Sequence, residues 1–157
     1  VKLGEVKTVI IAVVDGLGGG IGAQIVTQLR QELPLDVEIM ALGTSAIATD
    51  RMMKAKATRG ASGENAIRVS IKHADFIVAP LAVVVPNSLM GEVTATIAES
   101  IADAPGTKLL LPIGMPRLEI VGLEPRPLTK QISRAIDIIR EHLSLTTPIS
   151  EVASQPK

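Results

Sequence analysis

A glycine-rich turn placed directly after a short apolar run is the feature that most constrains the fold of this chain. The apolar run, Val9 to Val14, ends at Asp15, and five glycines follow within seven positions. These are Gly16, Gly18, Gly19, Gly20 and Gly22. A helical apolar pattern begins at Ile21. This order predicts a buried strand, a tight turn and a helix whose first N–H groups are free to bind a phosphate or another anion.

The residues that follow the turn complete a strand–helix–strand unit. Apolar side chains recur every four residues between positions 21 and 33, which predicts a helix over residues 20–33 that Pro34 terminates. A second apolar run, Val37 to Leu42, comes after a short turn and is of strand length. Such a βαβ unit joins parallel strands through a right-handed crossover.

The rest of the chain continues this alternation of strands and helices. Helices are predicted over residues 46–57, 64–71, 95–104 and 127–143. Residues 67–71 also alternate in the manner of a strand, which is the alternative for that stretch. Strands are predicted over residues 75–80, 108–113 and 118–121, and a polar loop over residues 59–63. Most of these strands are continuously apolar, which indicates a sheet covered on both faces. We therefore expect a three-layer, doubly wound, Rossmann-like α/β fold with a mostly parallel sheet of about five strands.

The domain organisation follows from the same pattern. Residues 1–143 are expected to form a single domain, and residues 144–157, which are polar and contain proline, a flexible C-terminal tail. The apolar run at residues 81–85 lies between two prolines and is not expected to be a central strand. Together with Leu89 and Met90, it predicts either an extra layer of core or the seam of a homodimer.

The composition excludes several classes of function. The chain has no Cys, Trp or Tyr, one Phe and a formal net charge of zero, so neither aromatic stacking nor a basic surface is available for nucleic acid. Two isolated histidines without cysteine do not predict a metal site. No apolar run reaches the roughly 20 residues of a membrane helix, so no membrane partner is expected and a cytoplasmic protein is predicted.

The spacing Gly16, Gly20, Gly22 is similar to that of the cofactor loop of short-chain dehydrogenases and reductases. Those enzymes use a catalytic tyrosine, which this chain lacks, and carry threonine where Asp15 stands. No acidic residue follows the second strand to bind a ribose 2′-hydroxyl, so NAD is a less favoured ligand. Arg51, with residues 44 and 45, offers contacts to a phosphate instead, which favours NADP or another phosphorylated nucleotide; the alternative is a helix cap plus a solvated arginine.

The candidate binding residues come from loops that follow strands, because parallel strands place their carboxyl ends at one edge of the sheet. The glycine loop contributes Asp15, Gly16, Gly18, Gly19, Gly20, Ile21 and Gly22. Later loops contribute Thr44, Ser45, Asn65, Asn87 and Ser88. The position of Asp15 after the strand suits a Mg²⁺ ion or a ribose hydroxyl. We prefer a local role, in which its carboxylate accepts hydrogen bonds from the N–H groups of the loop.

Two carboxylates are candidates for a general base. Glu64 begins a predicted helix after a glycine loop, and Glu92 follows the third clear strand. Their other interpretation is helix capping and surface solvation. The sequence leaves open whether the protein is an enzyme.

Six short motifs along the chain resemble one bacterial family. They are DGLGGGIG at 15–22, ALGT at 41–44 with AIAT at 46–49, GENAI at 63–67, NS at 87–88 and GE at 91–92. Together they resemble the family catalogued as domain of unknown function 3842, over roughly residues 8–122. The resemblance implies a small Rossmann-like protein and supplies no catalytic residues.

The sequence supports three functional hypotheses. The first is a protein that binds a phosphate-containing nucleotide or dinucleotide at the glycine loop. The second is a non-catalytic homo-oligomeric or regulatory protein whose glycine loop is structural. The third is an enzyme acting on a small phosphorylated metabolite. We expect a homo-oligomer, most simply a dimer.

Overall fold

The computed structural model describes residues 7–115 and 117–146, with side chains up to residue 144. The strands are β1 (Ile10–Asp15), β2 (Glu38–Gly43), β3 (Arg59–Ser62), β4 (Phe76–Pro80) and β5 (Thr107–Leu111). The α-helices are α1 (Gly20–Glu32), α2 (Ala46–Lys54), α3 (Glu64–Ser70), α4 (Ala95–Asp103) and α5 (Leu128–Thr146). Three short 3-10 helices cover Ile71–His73, Leu81–Val84 and Leu89–Gly91.

The five strands form one sheet in the order β3-β2-β1-β4-β5, and every pairing is parallel. β1 lies at the centre, where Val13 pairs with Ala41 on one side and with Val78 on the other. The chain first builds outward from β1 to β3 and then crosses back to β4. The strand order therefore reverses between β1 and β4, and a crevice opens there in sheets of this kind.

Helices cover both faces of the sheet, and side chains of β1 alternate between the two cores. Ile11 and Val13 face a cluster formed with α1, α2 and α5, whereas Ala12 and Val14 face a cluster formed with α3 and α4. The period of two along a strand produces this division. The three-layer, doubly wound, Rossmann-like α/β fold is thereby confirmed.

The prediction of a polar loop at residues 59–63 is wrong, because Arg59–Ser62 forms the edge strand β3. Its side chains are mostly exposed, so it lacks the apolar run that identifies a buried strand. The glycine is a packing requirement: a Cβ at Gly60 would lie 2.8 Å from Cγ2 of Thr49 and 2.9 Å from Sδ of Met53.

The predicted strand at residues 118–121 is also wrong, because these residues form no strand in the described structure. Backbone hydrogen bonds instead close two turns that overlap the ends of this segment. One runs from Leu118 N to Met115 O at 3.4 Å and the other from Leu123 N to Ile120 O at 3.2 Å. The sheet still has five strands because β3 takes the fifth place.

Two further boundaries differ from the predictions. The last helix continues to Thr146, so the predicted tail does not begin at residue 144, and residues 147–157 lie outside the described part of the chain. The apolar run at 81–85 is largely a 3-10 helix in which Ala82 and Val83 are buried. These two side chains therefore belong to the core. No helix within residues 7–115 and 117–146 is both long and apolar enough to cross a bilayer.

Candidate functional site

Three connections meet at the carboxyl edge of the sheet, where the strand order reverses. They are the glycine loop between β1 and α1, the turn between β2 and α2, and the long connection from β4 to α4. Parallel pairing of the three strands brings their carboxyl ends together. The candidate site is built from these connections.

Asp15 ends β1, and its carboxylate lies inside the glycine loop with only 3 % of the residue exposed. Oδ1 accepts the N–H of Gly16 at 2.8 Å, and Oδ2 accepts the N–H of Gly22 at 2.6 Å. Burial raises the pKa of Asp15 above its ordinary value of 3.8, whereas the N–H groups of Gly22, Gly16 and Ile21 lower it and the charge of Glu92 raises it. The Asp15 carboxylate therefore accepts a hydrogen bond from the first turn of α1 on the buried side of the loop.

Glu92 reaches the same loop from the connection between β4 and α4. Its Oε2 accepts the N–H of Leu17 at 2.7 Å and the hydroxyl of Thr44 at 2.5 Å. A Cβ placed on Gly16 would lie 2.9 Å from this oxygen and 2.7 Å from the Thr44 hydroxyl. A carboxylate of the chain itself thus occupies this part of the crevice.

Two other glycines of the loop have clear packing roles. Gly19 adopts a left-handed backbone with φ of 71°, and a Cβ there would lie 2.7 Å from the Cα of Ala48. A Cβ on Gly22 would lie 2.6 Å from Sδ of Met52. Both distances are far below van der Waals contact, so these glycines allow α2 to pack directly on the loop.

Gly18 and Gly20 differ from the other glycines because no part of the protein packs tightly against them. A Cβ at either position would meet only the side chain of Arg51, at 3.7 Å from Gly18 and 3.4 Å from Gly20. The N–H groups of Gly18 and Gly20 have no hydrogen-bond partner among the described residues. The Arg51 side chain is exposed and makes one long hydrogen bond to Gly18 O, at 3.3 Å. The loop therefore has an open outer side next to a cation.

The remaining predicted binding residues have local partners. Ser45 is the N-cap of α2 and accepts the N–H of Ala48 at 3.3 Å. Ser88 donates its hydroxyl to the carbonyl of Ala82. Asn87 lies at a positive φ of 65° in the same connection. Their hydrogen bonds shape loops and do not reach the glycine loop, apart from a 3.4 Å contact between Ser45 Oγ and Leu17 O.

Residues at the start of α3 lie beside the connection between β4 and α4. Glu64 accepts the hydroxyl of Thr94 at 2.5 Å, and Asn65 accepts a hydrogen bond from Arg68 at 2.7 Å. The last predicted binding residue, Ile21 at the start of α1, packs against the core formed with α1, α2 and α5. Of the two candidate bases, the structure places Glu92 on the glycine loop and Glu64 on Thr94.

One polar residue important to this edge was missed by sequence reasoning. Thr49 is buried on α2, and its hydroxyl accepts the N–H of Gly43 at 3.1 Å and the hydroxyl of Ser62 at 2.7 Å. A threonine inside an amphipathic helix gives no sequence signal for such a role. Among the described residues, no group of three or more His, Cys, Asp or Glu side chains is arranged to hold a metal ion.

The fold and site define a small Rossmann-like α/β protein with a glycine loop at its topological switch point. The chain belongs to the family described as Domain of unknown function (DUF3842), whose model matches residues 10–144. No curated protein matches the chain.

Two solved structures show partial similarity. A universal stress protein in complex with cAMP is 20 % identical, with a TM-score of 0.36, over 66 % of this chain and 98 % of that chain. A dodecameric FMN-dependent UbiX-like decarboxylase from Escherichia coli O157:H7 is 11 % identical, with a TM-score of 0.38, over 94 % of this chain and 98 % of that one.

Proposed function

We propose that the protein binds a small phosphate-containing ligand, of the nucleotide class, on the outer side of the glycine loop. The observation that carries this proposal is the pair of free N–H groups of Gly18 and Gly20 beside the guanidinium of Arg51. N–H groups at a helix start bind oxyanions, and the positive end of the helix dipole adds to their attraction. Arginine adds charge and several donors.

The inner N–H groups are not the proposed phosphate site, because carboxylates of the chain already occupy them. Asp15 accepts the N–H groups of Gly16 and Gly22, and Glu92 accepts that of Leu17. A phosphate there would have to displace a carboxylate and would lie next to negative charge. On the outer side it replaces only the 3.3 Å bond between Arg51 and Gly18, which is long for a hydrogen bond.

The ligand class follows from the groups that flank the loop. The turn after β2 carries Thr44 and Ser45 and no carboxylate of its own. The Glu92 carboxylate that reaches Thr44 already accepts the Thr44 hydroxyl and the Leu17 N–H, so it is a poor acceptor for a ribose 2′-hydroxyl. Arg51 on the following helix suits a phosphate better than a hydroxyl. NADP or another phosphorylated nucleotide therefore fits this edge better than NAD does.

The test is a thermal-shift screen with NAD, NADP, FAD, FMN, ATP and coenzyme A, followed by calorimetric titration of whichever compound raises the melting temperature. Arg51→Gln should lower the affinity for that compound by about tenfold or more, because a hydrogen bond to a charged group contributes about 1.5–3 kcal/mol. Lys54→Gln removes the same charge from the same helix and is the matched control. Its affinity should stay close to that of the wild type.

A substitution in the loop gives a second, independent readout. Gly18→Ala adds a methyl group at ordinary contact distance, so the fold should be retained while the space over the free N–H groups is filled. Affinity should fall with an unchanged melting temperature of the unliganded protein. The proposal fails if none of the six compounds binds at millimolar concentration, or if Gly18→Ala and Arg51→Gln both bind like the wild type.

A structural role for the loop is the second candidate, and the packing of Gly19 and Gly22 against α2 favours it. In that case the loop serves only to bring α1 and α2 together. Gly18→Ala then changes neither binding nor stability, which distinguishes this candidate from the first.

A further inference from the structure

Two adjacent cavities lie where β5 leads into α5, at the free edge of the sheet. The strand cavity has a volume of about 700 Å³ and is lined by residues 108–112, residues 122–126 and the first half of α5. The loop cavity has a volume of about 420 Å³ and is lined by Leu81 and by residues within 112–125. The two cavities share three lining residues, Pro112, Leu123 and Pro125. One molecule that is longer than it is wide can therefore occupy both.

The strand cavity is rich in cations. Four basic side chains line it against one carboxylate, that of Glu124; they are Lys108, Arg126, Lys130 and Arg134. Two of them have partners in the chain, since Arg134 pairs with Glu141 at 3.1 Å and Lys108 donates to the carbonyl of Ala104. The side chains of Arg126 and Lys130 make no hydrogen bond or ion pair with any residue that the structure describes. The strand cavity thus has two cations available to an anionic group.

The backbone around these cations adds to the site. Nε2 of Gln131 donates to the carbonyl of Arg126 at 2.9 Å, so α5 fixes the wall that carries Arg126. β5 forms another wall, and as the last strand in the order it has outer backbone groups without a strand partner. N–H groups at the edge of a sheet are further donors for an anion. The strand cavity therefore suits a compact anionic group such as a carboxylate.

The loop cavity has the opposite chemistry, because its lining is apolar apart from Glu119. Three of its large apolar side chains are unusually exposed, at 38 % for Leu118, 44 % for Ile120 and 49 % for Leu123. Large apolar side chains grouped on a surface mark ligand-binding grooves. The carboxylate of Glu119 would repel an anionic group from this cavity. The loop cavity therefore suits the hydrocarbon part of a ligand whose charged end lies in the strand cavity.

We propose that the two cavities together bind an aliphatic carboxylate of the fatty-acid class. Its carboxylate binds Arg126 and Lys130 in the strand cavity, through charge-assisted hydrogen bonds. Its hydrocarbon chain passes over Leu123 and Pro125 into the loop cavity. A flexible aliphatic chain suits this site because none of the described lining residues is aromatic. The site shares no residue with the glycine loop, so this proposal stands independently of the proposed function.

A chain-length series tests the class of ligand. Octanoate, decanoate and dodecanoate are titrated into the full chain by calorimetry, each below the concentration at which it forms micelles. Every methylene group that enters the cavities should raise the affinity about threefold to fourfold. Decanol has the chain of decanoate without its charge and should bind about tenfold more weakly or worse. An affinity that does not depend on chain length, or decanol that binds as tightly as decanoate, would contradict the proposal.

Two neighbouring residues provide a matched test of the hydrocarbon path. Ile120→Ser removes an apolar side chain that lines the loop cavity. Val121→Ser removes one that is 99 % exposed and lines neither cavity. The affinity for decanoate should fall about fivefold or more in Ile120→Ser and should stay at the wild-type value in Val121→Ser. Equal affinities in the two variants would show that the chain does not enter the loop cavity, and the proposal would fail.

The cations are tested in a variant that carries both Arg126→Gln and Lys130→Gln. Its affinity for decanoate should fall about tenfold or more, while its affinity for decanol stays unchanged. Lys72→Gln, at an exposed position outside both cavities, is the control and should bind decanoate like the wild type. Circular dichroism establishes that each variant is folded.

The source of the carboxylate is tested with vesicles that contain phosphatidylglycerol. The dissolved acids should bind saturably, and the protein should not sediment with the vesicles. Sedimentation without binding of any dissolved acid at millimolar concentration would assign the cations to a lipid surface and overturn the proposal. Absence of both kinds of binding would overturn it as well.

Discussion

Leu17 donates its backbone N–H to Oε2 of Glu92 at 2.7 Å, although 75 positions separate them in the sequence. The bond joins the glycine loop after β1 to the connection after β4, across the point where the strand order reverses. The same oxygen accepts the hydroxyl of Thr44, so one carboxylate ties together the ends of three strands. The Glu92 carboxylate therefore fills the inner end of the crevice.

Glu92→Ala should lower the free energy of unfolding by about 1–2 kcal/mol, because the Leu17 N–H and the Thr44 hydroxyl both lose a charged acceptor. Glu92→Gln should cost less, since the amide oxygen can still accept one of these bonds. Urea denaturation measures both. In a double-mutant cycle with Thr44→Val, the two losses should be less than additive. Fully additive losses would show that the two side chains do not interact.

Much of the fold could be predicted from the sequence. β1, β2 and β4 are continuous apolar runs, and α1 follows a four-residue apolar repeat that ends at Pro34. Strands of a parallel sheet are buried on both faces, so they are continuously apolar and can be recognised in the sequence. The family resemblance, read from motifs between residues 15 and 92, was confirmed by the match over residues 10–144.

The errors in the prediction occurred at the edges of the sheet. β3 reads Arg-Gly-Ala-Ser and is largely exposed, so the strand is specified by its pairing with β2 and by the space that Gly60 leaves for α2. Residues 118–121 have the opposite property: they look like a strand and have no strand partner within the described chain. The local pattern of apolar residues indicates which segments are buried. Whether a segment pairs as a strand depends also on which other strands are available to it.

The candidate site could be predicted only in part. A strand followed by glycines identifies the loop, but the sequence does not separate the glycines that pack against α2 from those that face Arg51. That distinction depends on distances between Gly19 and Ala48 or between Gly22 and Met52, which follow from the docking of a helix. No local pattern contains this information.

Alanine at Gly22 should be far more destabilising than alanine at Gly18. The new Cβ would lie 2.6 Å from Met52 Sδ and 2.8 Å from Asp15 Cβ, so the core must shift, at a cost of about 1–3 kcal/mol. At Gly18 the nearest atom is the end of an exposed arginine, and the change should stay within about 0.5 kcal/mol. Chemical denaturation of both variants gives the comparison. Equal losses would contradict the division of the loop into a packed side and an open side.

The buried carboxyl of Asp15 should make stability fall as the pH rises. Below its ordinary pKa of 3.8 the group is protonated in both states and contributes no difference. Above that value the unfolded chain releases the proton first, because burial raises the pKa of Asp15 in the folded protein. The folded state then binds more protons, so the free energy of unfolding decreases until the pH passes the raised pKa.

Comparison with Asp15→Asn isolates this effect. The stability of the wild type relative to Asp15→Asn should be highest at the acidic end of the series and should decline as the pH rises, before levelling off. Urea denaturation between pH 3.5 and 8 measures the difference. Asp36→Asn removes an exposed carboxylate at the opposite edge of the sheet and provides the matched baseline. A relative stability that increases with pH would mean that the hydrogen bonds to the loop outweigh burial.

Thr49 provides the last prediction, because its hydroxyl joins β2, β3 and α2. It accepts the N–H of Gly43 and the hydroxyl of Ser62, and it lies 3.1 Å from the carbonyl of Ala61. Thr49→Val keeps the shape of the side chain and removes the hydroxyl that accepts the buried N–H of Gly43, which should cost about 1–3 kcal/mol. Thr49→Ser keeps the hydroxyl, loses only a methyl group and should cost less. Denaturation curves rank the stability of the two variants, and amide exchange at Gly43 should accelerate in the valine variant alone. A larger loss of stability in the serine variant would show that packing of the methyl group on Gly60, rather than the hydrogen bonds, holds β3 to the sheet.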